Sequence, residues 1–205
     1  MATKTISKFP VNLDNQRDNL LATWQTNNRV TEFFIENLPS DLWNMKIPGA
    51  PQRTIRMIAG HLHNARCMWI KMVGKQYGIK IPKSVDRRHV SRSQLLHALK
   101  QSNKGVIRLL KAGLDQNCKL NIHVPWSNIP SDVVHFMVYL VAHEAHHRGQ
   151  IVLVARALDH RLPQSITAGL WQWKKLSHEI AKDKSGRPNR FPPKGSFSEQ
   201  SLRVK

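Results

Sequence analysis

The segment that decides the fold of this protein is VAHEAHHRGQ, residues 141–150. Within it and on both sides, apolar and histidine side chains recur at steps of three and four residues: Phe136, Leu140, His143, His147, Ile151, Val154 and Leu158. This spacing predicts one buried face of an amphipathic helix. His143 and His147 are four residues apart on that face, so their imidazoles are neighbours that can bind one metal ion together.

Helical spacing of apolar residues recurs along most of the chain. It predicts two helices over 13–38 and 52–75, and a third that begins at Ser91 or Ser93 as N-cap and runs through Leu114. A fourth helix is predicted over 130–159 with Ser131 as N-cap, and a shorter fifth over 166–181. Four long helices with short links predict an all-α protein, a four-helix bundle with an additional short C-terminal helix. The buried face expected for the short helix is Leu170, Trp171, Trp173 and Leu176.

No β-sheet is expected. Residues 117–129 are interpreted as a connection, in which 121–124 is a short extended piece without a partner strand. Pro39 and the segment 46–51 are interpreted as the end of the first helix and a link to the second.

Length and composition predict one domain and a tail. The chain has 205 residues, of which 40% are hydrophobic, enough for a single core. We expect a helical bundle domain over 1–181 and a disordered basic tail over 182–205, where breakers and charges show no periodicity. No apolar run reaches the roughly 18 residues of a membrane span, and the N-terminus lacks the apolar stretch of a signal peptide. We therefore expect a cytoplasmic protein with no membrane partner.

The second predicted helix offers two candidates for a third metal ligand, His61 and His63. His61 lies beside the apolar stripe of that helix, whereas His63 has a more polar flank, so the pattern favours His61 as the inward-facing residue and keeps His63 in reserve. Gly60 removes bulk before His61, which lets another backbone or a ligand approach. His146 lies about 100° around its helix from His147 and is not expected to bind the same ion.

Two motifs resemble those of DinB-like proteins. They are IAGHLHNAR, residues 58–66, followed by Trp69, and YLVAHEAHHRGQI, residues 139–151; LWQW, residues 170–173, resembles a common ending of the family. The resemblance covers roughly 13–181. It implies a four-helix bundle with a mononuclear site of three histidines, one from the second helix and two from the fourth, here His61, His143 and His147. It also implies a homodimer, and a relationship to transferases and isomerases that act with a low-molecular-weight thiol.

Three functions are compatible with these motifs. We favour a metal-dependent transferase that uses a low-molecular-weight thiol or another small-molecule substrate, with Glu144, Arg148 and Gln150 as candidate catalytic residues. The second is a nucleic-acid or stress-response binding module with a structural metal. The third is a metallohydrolase, because residues 143–147 also read His-Glu-x-x-His, in which Glu144 is the general base. We rank the metallohydrolase last, because no β-sheet is predicted.

A divalent metal ion is the expected cofactor. Imidazole ligands suit zinc, nickel, copper and iron by ligand type, and we favour zinc or nickel. Whether the ion is catalytic or structural is left open by the residues alone.

The positive charge of the chain is the feature that favours nucleic acid as a binding partner. The net charge is +19 and the isoelectric point is near 10.6. The tail is basic, and so is the second helix with the loop after it, where we expect a basic patch: Arg53, Arg56, Arg66, Lys71, Lys75, Arg87 and Arg88. Few aromatic residues are interleaved, so a stacking platform for single strands is not indicated.

Three other residues have ordinary structural interpretations. Cys67 and Cys118 are far apart in the chain and are each expected to be a small buried hydrophobic residue. Gly149 in mid-helix costs about 1 kcal/mol relative to Ala, which indicates either close packing or a tolerated defect.

Overall fold

The computed structural model describes residues 13–122 and 129–185. In these residues the elements are α1 (Leu13–Asn37), a 3₁₀ turn (Asp41–Asn44), β1 (Lys46–Ile47), β2 (Ala50–Thr54), α2 (Ile55–Trp69), α3 (Arg92–Asp115), α4 (Val133–Ala157), α5 (Gln164–Gly169) and α6 (Trp173–Ser185). A π-helical turn and a 3₁₀ turn continue α2 to Tyr77. The predicted all-α bundle is confirmed. None of the described helices is long and apolar enough to cross a membrane.

Side-chain caps begin three of the four long helices. Thr54 accepts from the backbone N–H of Met57, and Ser91 forms a capping box with Gln94, which confirms Ser91 over Ser93. The prediction for α4 was wrong by one residue. Asp132, and not Ser131, is the N-cap, because its carboxylate accepts from two backbone N–H groups, those of Val134 and His135.

The bundle has two apolar clusters with a polar layer between them. One cluster contains Trp24 and Trp69, and the other contains Phe34 and Leu62. Along each long helix, buried polar residues fall between the members of the two clusters: Asn27, Thr31, His63, Arg66, Ser102, Glu144 and Arg148. Burial of this kind is stable only when each polar group finds a partner.

Cluster membership also gives the direction of each helix. α1 and α4 run from the Trp24 cluster to the Phe34 cluster, whereas α2 and α3 run the opposite way. The chain must therefore return along α2 before α3 begins. Two hydrogen bonds of 2.9 Å hold the returning segment against α2. Asn64 Nδ2 donates to the Val85 carbonyl oxygen, and the Val85 N–H donates to Asn64 Oδ1.

Two short strands were missed by the sequence analysis. β1 and β2 pair antiparallel, and Gly49 makes the turn between them with a φ of 72°. They occupy the segment interpreted as a link and also residues 52–54, where the second helix was expected to begin. The hairpin leads directly into the Thr54 cap and so fixes the start of α2. The extended piece expected at 121–124 lies partly outside the described residues.

The C-terminal region differs from the prediction. The expected helix over 166–181 is two helices, α5 and α6, with a break at 170–172. A Cβ on Gly169 would lie 2.3 Å from Cε1 of Phe33, so a side chain there would require the Phe33 ring to move. Trp171 was expected to be buried but is 84% exposed, whereas Leu176 is buried as expected. α6 extends past the expected domain end at 181 to Ser185, and the tail from 186 onward lies outside the described residues.

Candidate metal centre

Three histidines meet on one flank of the bundle, where α2 packs against α4. His61 Nε2 lies 3.3 Å from His143 Nε2, and His147 Nε2 lies 3.2 Å from the same atom. One ring nitrogen of each residue lies within 4.8 Å of the other two. All three side chains are half-buried, at the edge of the polar layer. The two histidines of α4 and one of α2 thus point their nitrogens at a common place.

Hydrogen bonding by itself does not account for this convergence. His143 Nε2 faces two other ring nitrogens, and one N–H can donate to only one of them. Four tetrahedral ligands at the Zn–N distance would be separated by about 3.3 Å, close to the separations between these nitrogens. The donor set and its spacing therefore fit a divalent metal ion.

The ring of His147 is oriented by Gln150. His147 Nδ1 lies 2.6 Å from Gln150 Oε1, and because an amide oxygen only accepts, Nδ1 carries the proton. Nε2 is then left with a free lone pair on the side of the cluster. This is the outer hydrogen bond that commonly fixes the tautomer of a metal-binding histidine.

The histidines are held neutral. Burial is the largest cause that lowers the pKa of His61 to about 4, followed by the charges that His147 and His143 would carry. Arg87 and Arg53 lower that pKa further. Burial is also the largest cause that lowers the pKa of His143 and of His147. Neutral imidazole is the form that binds metal, so the site is ready near neutral pH.

The core face of α4 matches the expected stripe at Phe136, Leu140 and Ile151 but not at the two histidines between them. The two histidines are half-buried at the edge, and Glu144 and Arg148 occupy the core positions between Leu140 and Ile151. Glu144 is 1% exposed. In the middle of the helix the buried positions therefore lie one residue later than predicted, because a charged residue is not expected in a core.

A buried charge network explains how Glu144 is accommodated. Its carboxylate accepts hydrogen bonds from Arg66 Nε at 2.6 Å, Asn27 Nδ2 at 2.9 Å and Thr31 Oγ1 at 2.7 Å. Arg148 lies 3.7 Å away and donates to Thr31 and Asn27. Burial is the largest single influence on the pKa of Glu144 and by itself would raise it. The charge and hydrogen bond of Arg66, followed by the charge of Arg148, together outweigh burial, so the pKa of Glu144 is lowered.

The sequence-predicted catalytic residues are therefore divided by the fold. Gln150 contacts the histidine cluster, whereas Glu144 and Arg148 lie inside the bundle and bond to α1 and α2. Their catalytic roles stay predictions. Arg66 was missed as a core residue and was assigned to the basic patch, yet it is 1% exposed. The signal was present, because Arg66 stands between Leu62 and Trp69 in the apolar stripe of α2.

His63, the reserve ligand, is fully buried and points away from the other histidines. Its ring nitrogens lie 3.1 Å from Ser102 Oγ and 2.9 Å from the Lys83 carbonyl oxygen. The expectation that His61 is the more inward-facing of the two was wrong, because a side chain at the α2–α4 seam reaches its neighbours without being deeply buried. Gly60 allows the close approach of another chain segment, one of the two predicted alternatives, because a Cβ there would lie 3.1 Å from Cγ and 3.5 Å from Cα of Arg87.

Two further expectations are corrected. Cys67 is buried as expected, and burial raises the pKa of its thiol to about 11, but Cys118 is exposed. Gly149 is exposed, and a Cβ there would meet nothing within 4 Å, so close packing does not explain this glycine.

Tyr139 and two arginines complete the surroundings of the site. The ring of Tyr139, 36% exposed, lies 6.1 Å from that of His143 at an interplanar angle of 25°. Arg53 precedes the cap of α2 and Arg87 packs on Gly60; both are exposed, and neither forms an ion pair within the described residues. The site thus has an aromatic wall and a positive rim.

The chain matches one family of known proteins over most of its length. A family model described as the DinB family matches residues 4–175. The chain belongs to the DinB family. No curated protein and no solved structure gives a significant match. The DinB match includes all three clustered histidines and ends within α6, so the basic tail lies beyond it.

Proposed function

We propose that this DinB-family protein is a metal-dependent transferase that binds one divalent ion with His61, His143 and His147 and acts on a low-molecular-weight thiol. The convergence of the three Nε2 atoms carries the proposal. Neutral nitrogen ligands favour zinc or nickel, and three protein ligands leave a position for a substrate. When bound, the ion supplies Lewis acidity, which lowers the pKa of a thiol that approaches it.

The residues of the chain have separate roles in this proposal. Gln150 orients His147, and the exposed face of Tyr139 forms a wall against which the apolar part of a substrate packs. Arg53 and Arg87 favour an anionic substrate, because a thiolate gains from unpaired positive charge at the rim. We assign Glu144 and Arg148 to the positioning of α4, since their polar atoms are occupied inside the bundle.

A metallohydrolase of the His-Glu-x-x-His type is less well supported. That mechanism requires a carboxylate that is free to take a proton from water beside the ion. Both Glu144 oxygens already accept hydrogen bonds, and the side chain is 2% exposed. The described sheet is a two-stranded hairpin ahead of α2, not a wall along α4.

The first test is the metal content of the untagged protein, measured by elemental mass spectrometry. We expect near-stoichiometric metal in the wild type and a loss in His61→Ala and His147→Ala. His146→Ala is the matched control, because His146 is an exposed histidine on the same helix. Metal absent from the wild type, or lost equally in the control, would contradict the site.

The second test is transfer of the thiol. The loaded protein is incubated with cysteine, glutathione or coenzyme A and with 1-chloro-2,4-dinitrobenzene, from which the thiolate sulfur displaces chloride as the C–S bond forms. We expect acceleration that disappears in His147→Ala. Full metal content without acceleration for any of these thiols would reject the transferase and leave the metal site standing.

A further inference from the structure

The outer face of α3 carries a line of basic side chains that the sequence analysis did not single out. They follow one another at steps of four, four and three residues, and each is exposed: Lys100, Lys104, Arg108 and Lys111. We call these four residues the α3 stripe. Because α3 is a regular helix, they lie on one side of it over about 16 Å. His97, also exposed, extends the line by one turn.

The positive charges of the α3 stripe are not neutralised by salt bridges: none of the four residues forms an ion pair within the described part of the chain. The only acidic residue of α3 is Asp115, which is bound by Arg17. Across the groove between α1, α3 and α6, Glu36 and Glu179 both bind Arg29.

One further acid lies near the stripe. Glu32 is 8% exposed, and it is close enough to Lys100 for the two charges to interact. Its carboxylate accepts a hydrogen bond from Asn28 and forms no ion pair with the stripe within the described residues. The outer face of α3 therefore keeps a positive potential.

The composition of the face favours one class of partner. No large apolar side chain of α3 is exposed, so the face lacks the residues that insert into a membrane interface. α3 also contains no aromatic residue on which single-stranded bases would stack. A row of four cations on a straight helix suits a regular polyanion with one phosphate per roughly 3.4 Å of each strand.

We propose that the α3 stripe binds the phosphate backbone of double-stranded nucleic acid without reading its sequence. The inference does not rest on the proposed metal chemistry, because the three histidines lie on α2 and α4. It also differs from the basic patch expected on the second helix, of which Arg66 is buried in the core. Backbone contacts made by Lys and Arg alone position a duplex but do not specify bases.

The test is fluorescence anisotropy of a labelled short duplex DNA with the full chain, over a series of salt concentrations. In the test variant all four residues of the α3 stripe are changed to Gln. The matched control removes the same charge from exposed lysines in the turns that follow α2 and in the returning loop: Lys71→Gln, Lys75→Gln, Lys80→Gln and Lys83→Gln.

We expect the test variant to bind at least about tenfold more weakly at moderate salt, and its slope of log K against log salt to become shallower by roughly two to four. The control should stay within about threefold of the wild type. Equal losses in both variants would show that binding follows net charge and overturn the stripe, as would an unchanged test variant or a wild type that does not bind at low salt.

Two measurements exclude trivial results. Circular dichroism and metal content of the test variant should match the wild type, because the changed side chains are exposed and lie apart from the histidines. Anionic vesicles of phosphatidylserine are run in parallel. Stripe-dependent binding to vesicles with none to duplex DNA would reject nucleic acid as the partner.

Discussion

Glu144 accepts a hydrogen bond of 2.6 Å from Nε of Arg66, which lies 78 positions earlier in the chain. The bond joins α4 to α2 in the middle of the bundle, where both side chains are almost fully buried. His143 is the residue just before Glu144 on α4, and His61 lies on the same α2. The rotation of α4 that places Glu144 on Arg66 is therefore the rotation that places His143 beside His61.

Removal of the Glu144 charge should destabilise the protein strongly. Glu144→Gln leaves Arg66 buried without its counter-charge, and breaking one partner of a buried pair costs about 3–5 kcal/mol. Urea unfolding of the metal-free protein measures the loss. The triple variant Glu144→Leu, Arg66→Met and Arg148→Met should recover part of it, because none of the three buried charges then remains. A single variant as stable as the wild type would contradict the structural role.

Gln150 should control metal affinity without controlling stability. Gln150→Ala removes the acceptor that orients His147, and loss of such an outer partner typically costs about 10–100-fold in affinity. Gln150→Glu keeps an acceptor oxygen and should retain most of the affinity. Competition with a coloured chelator measures both variants. An affinity unchanged in Gln150→Ala would show that the hydrogen bond does not position the ligand.

The metal-free protein should lose stability as the pH falls. The pKa of His61 is lowered in the folded state to about 4, so the unfolded chain binds more protons in the window from about 6.5 down to about 4. Stability therefore decreases with falling pH across that window. His61→Asn should show a smaller difference between urea midpoints at neutral and acidic pH than the wild type does. The exposed His146→Asn is the control, and identical pH responses in all three proteins would refute the assignment.

Glu32 should behave in the opposite way. Burial raises its pKa in the folded state, so the folded protein binds the proton more tightly than the unfolded chain does. Stability associated with this group is present below the unfolded pKa and is lost as the pH rises through the raised folded pKa. Glu32→Gln, which keeps the acceptor oxygen for Asn28, should therefore stabilise the protein at neutral pH. The gain should vanish in acid, and a loss of stability at neutral pH would contradict the prediction.

Two glycines in helices should respond to alanine with opposite signs. A Cβ on Gly149 meets nothing within 4 Å, so Gly149→Ala should stabilise the protein by about 1 kcal/mol through helix propensity. A Cβ on Gly105 would lie 2.5 Å from Cδ1 of Ile70, so Gly105→Ala should destabilise it. Thermal unfolding of the two variants compares them directly. Equal shifts in Tm would show that close packing at Gly105 is not what distinguishes the two sites.

Local pattern was sufficient for the four long helices and for the pair of histidines on α4. The periodic apolar residues of α1, α2, α3 and α4 predicted the four long helices, because one face of each must leave water. The four-residue spacing of His143 and His147 was enough to predict that they share one side of α4. For α3 the sequence offered two candidate N-caps, and Ser91 is the one observed. Errors came at element ends and in the chain after Leu162, where Gly169 and Trp171 interrupt the expected helix.

The interior of the bundle was not predictable in the same way. Pattern analysis treats charge as a sign of exposure, whereas Glu144 is buried between Arg66 and Arg148 and pairs with both. Their partners, Asn27 and Thr31, lie more than a hundred residues away in sequence from α4. No local window contains such a network, since each member is costly alone and acceptable only with the others.

The sequence by itself determined that this chain forms four amphipathic helices and that α4 presents a pair of histidines, because both properties depend on residues within a few turns of each other. Only the tertiary structure decided that His61, and not His63, meets that pair. The choice depends on how α2 and α4 are rotated against each other. The buried bond between Arg66 and Glu144 forms in that rotation, and its free energy exists only when the two helices are packed.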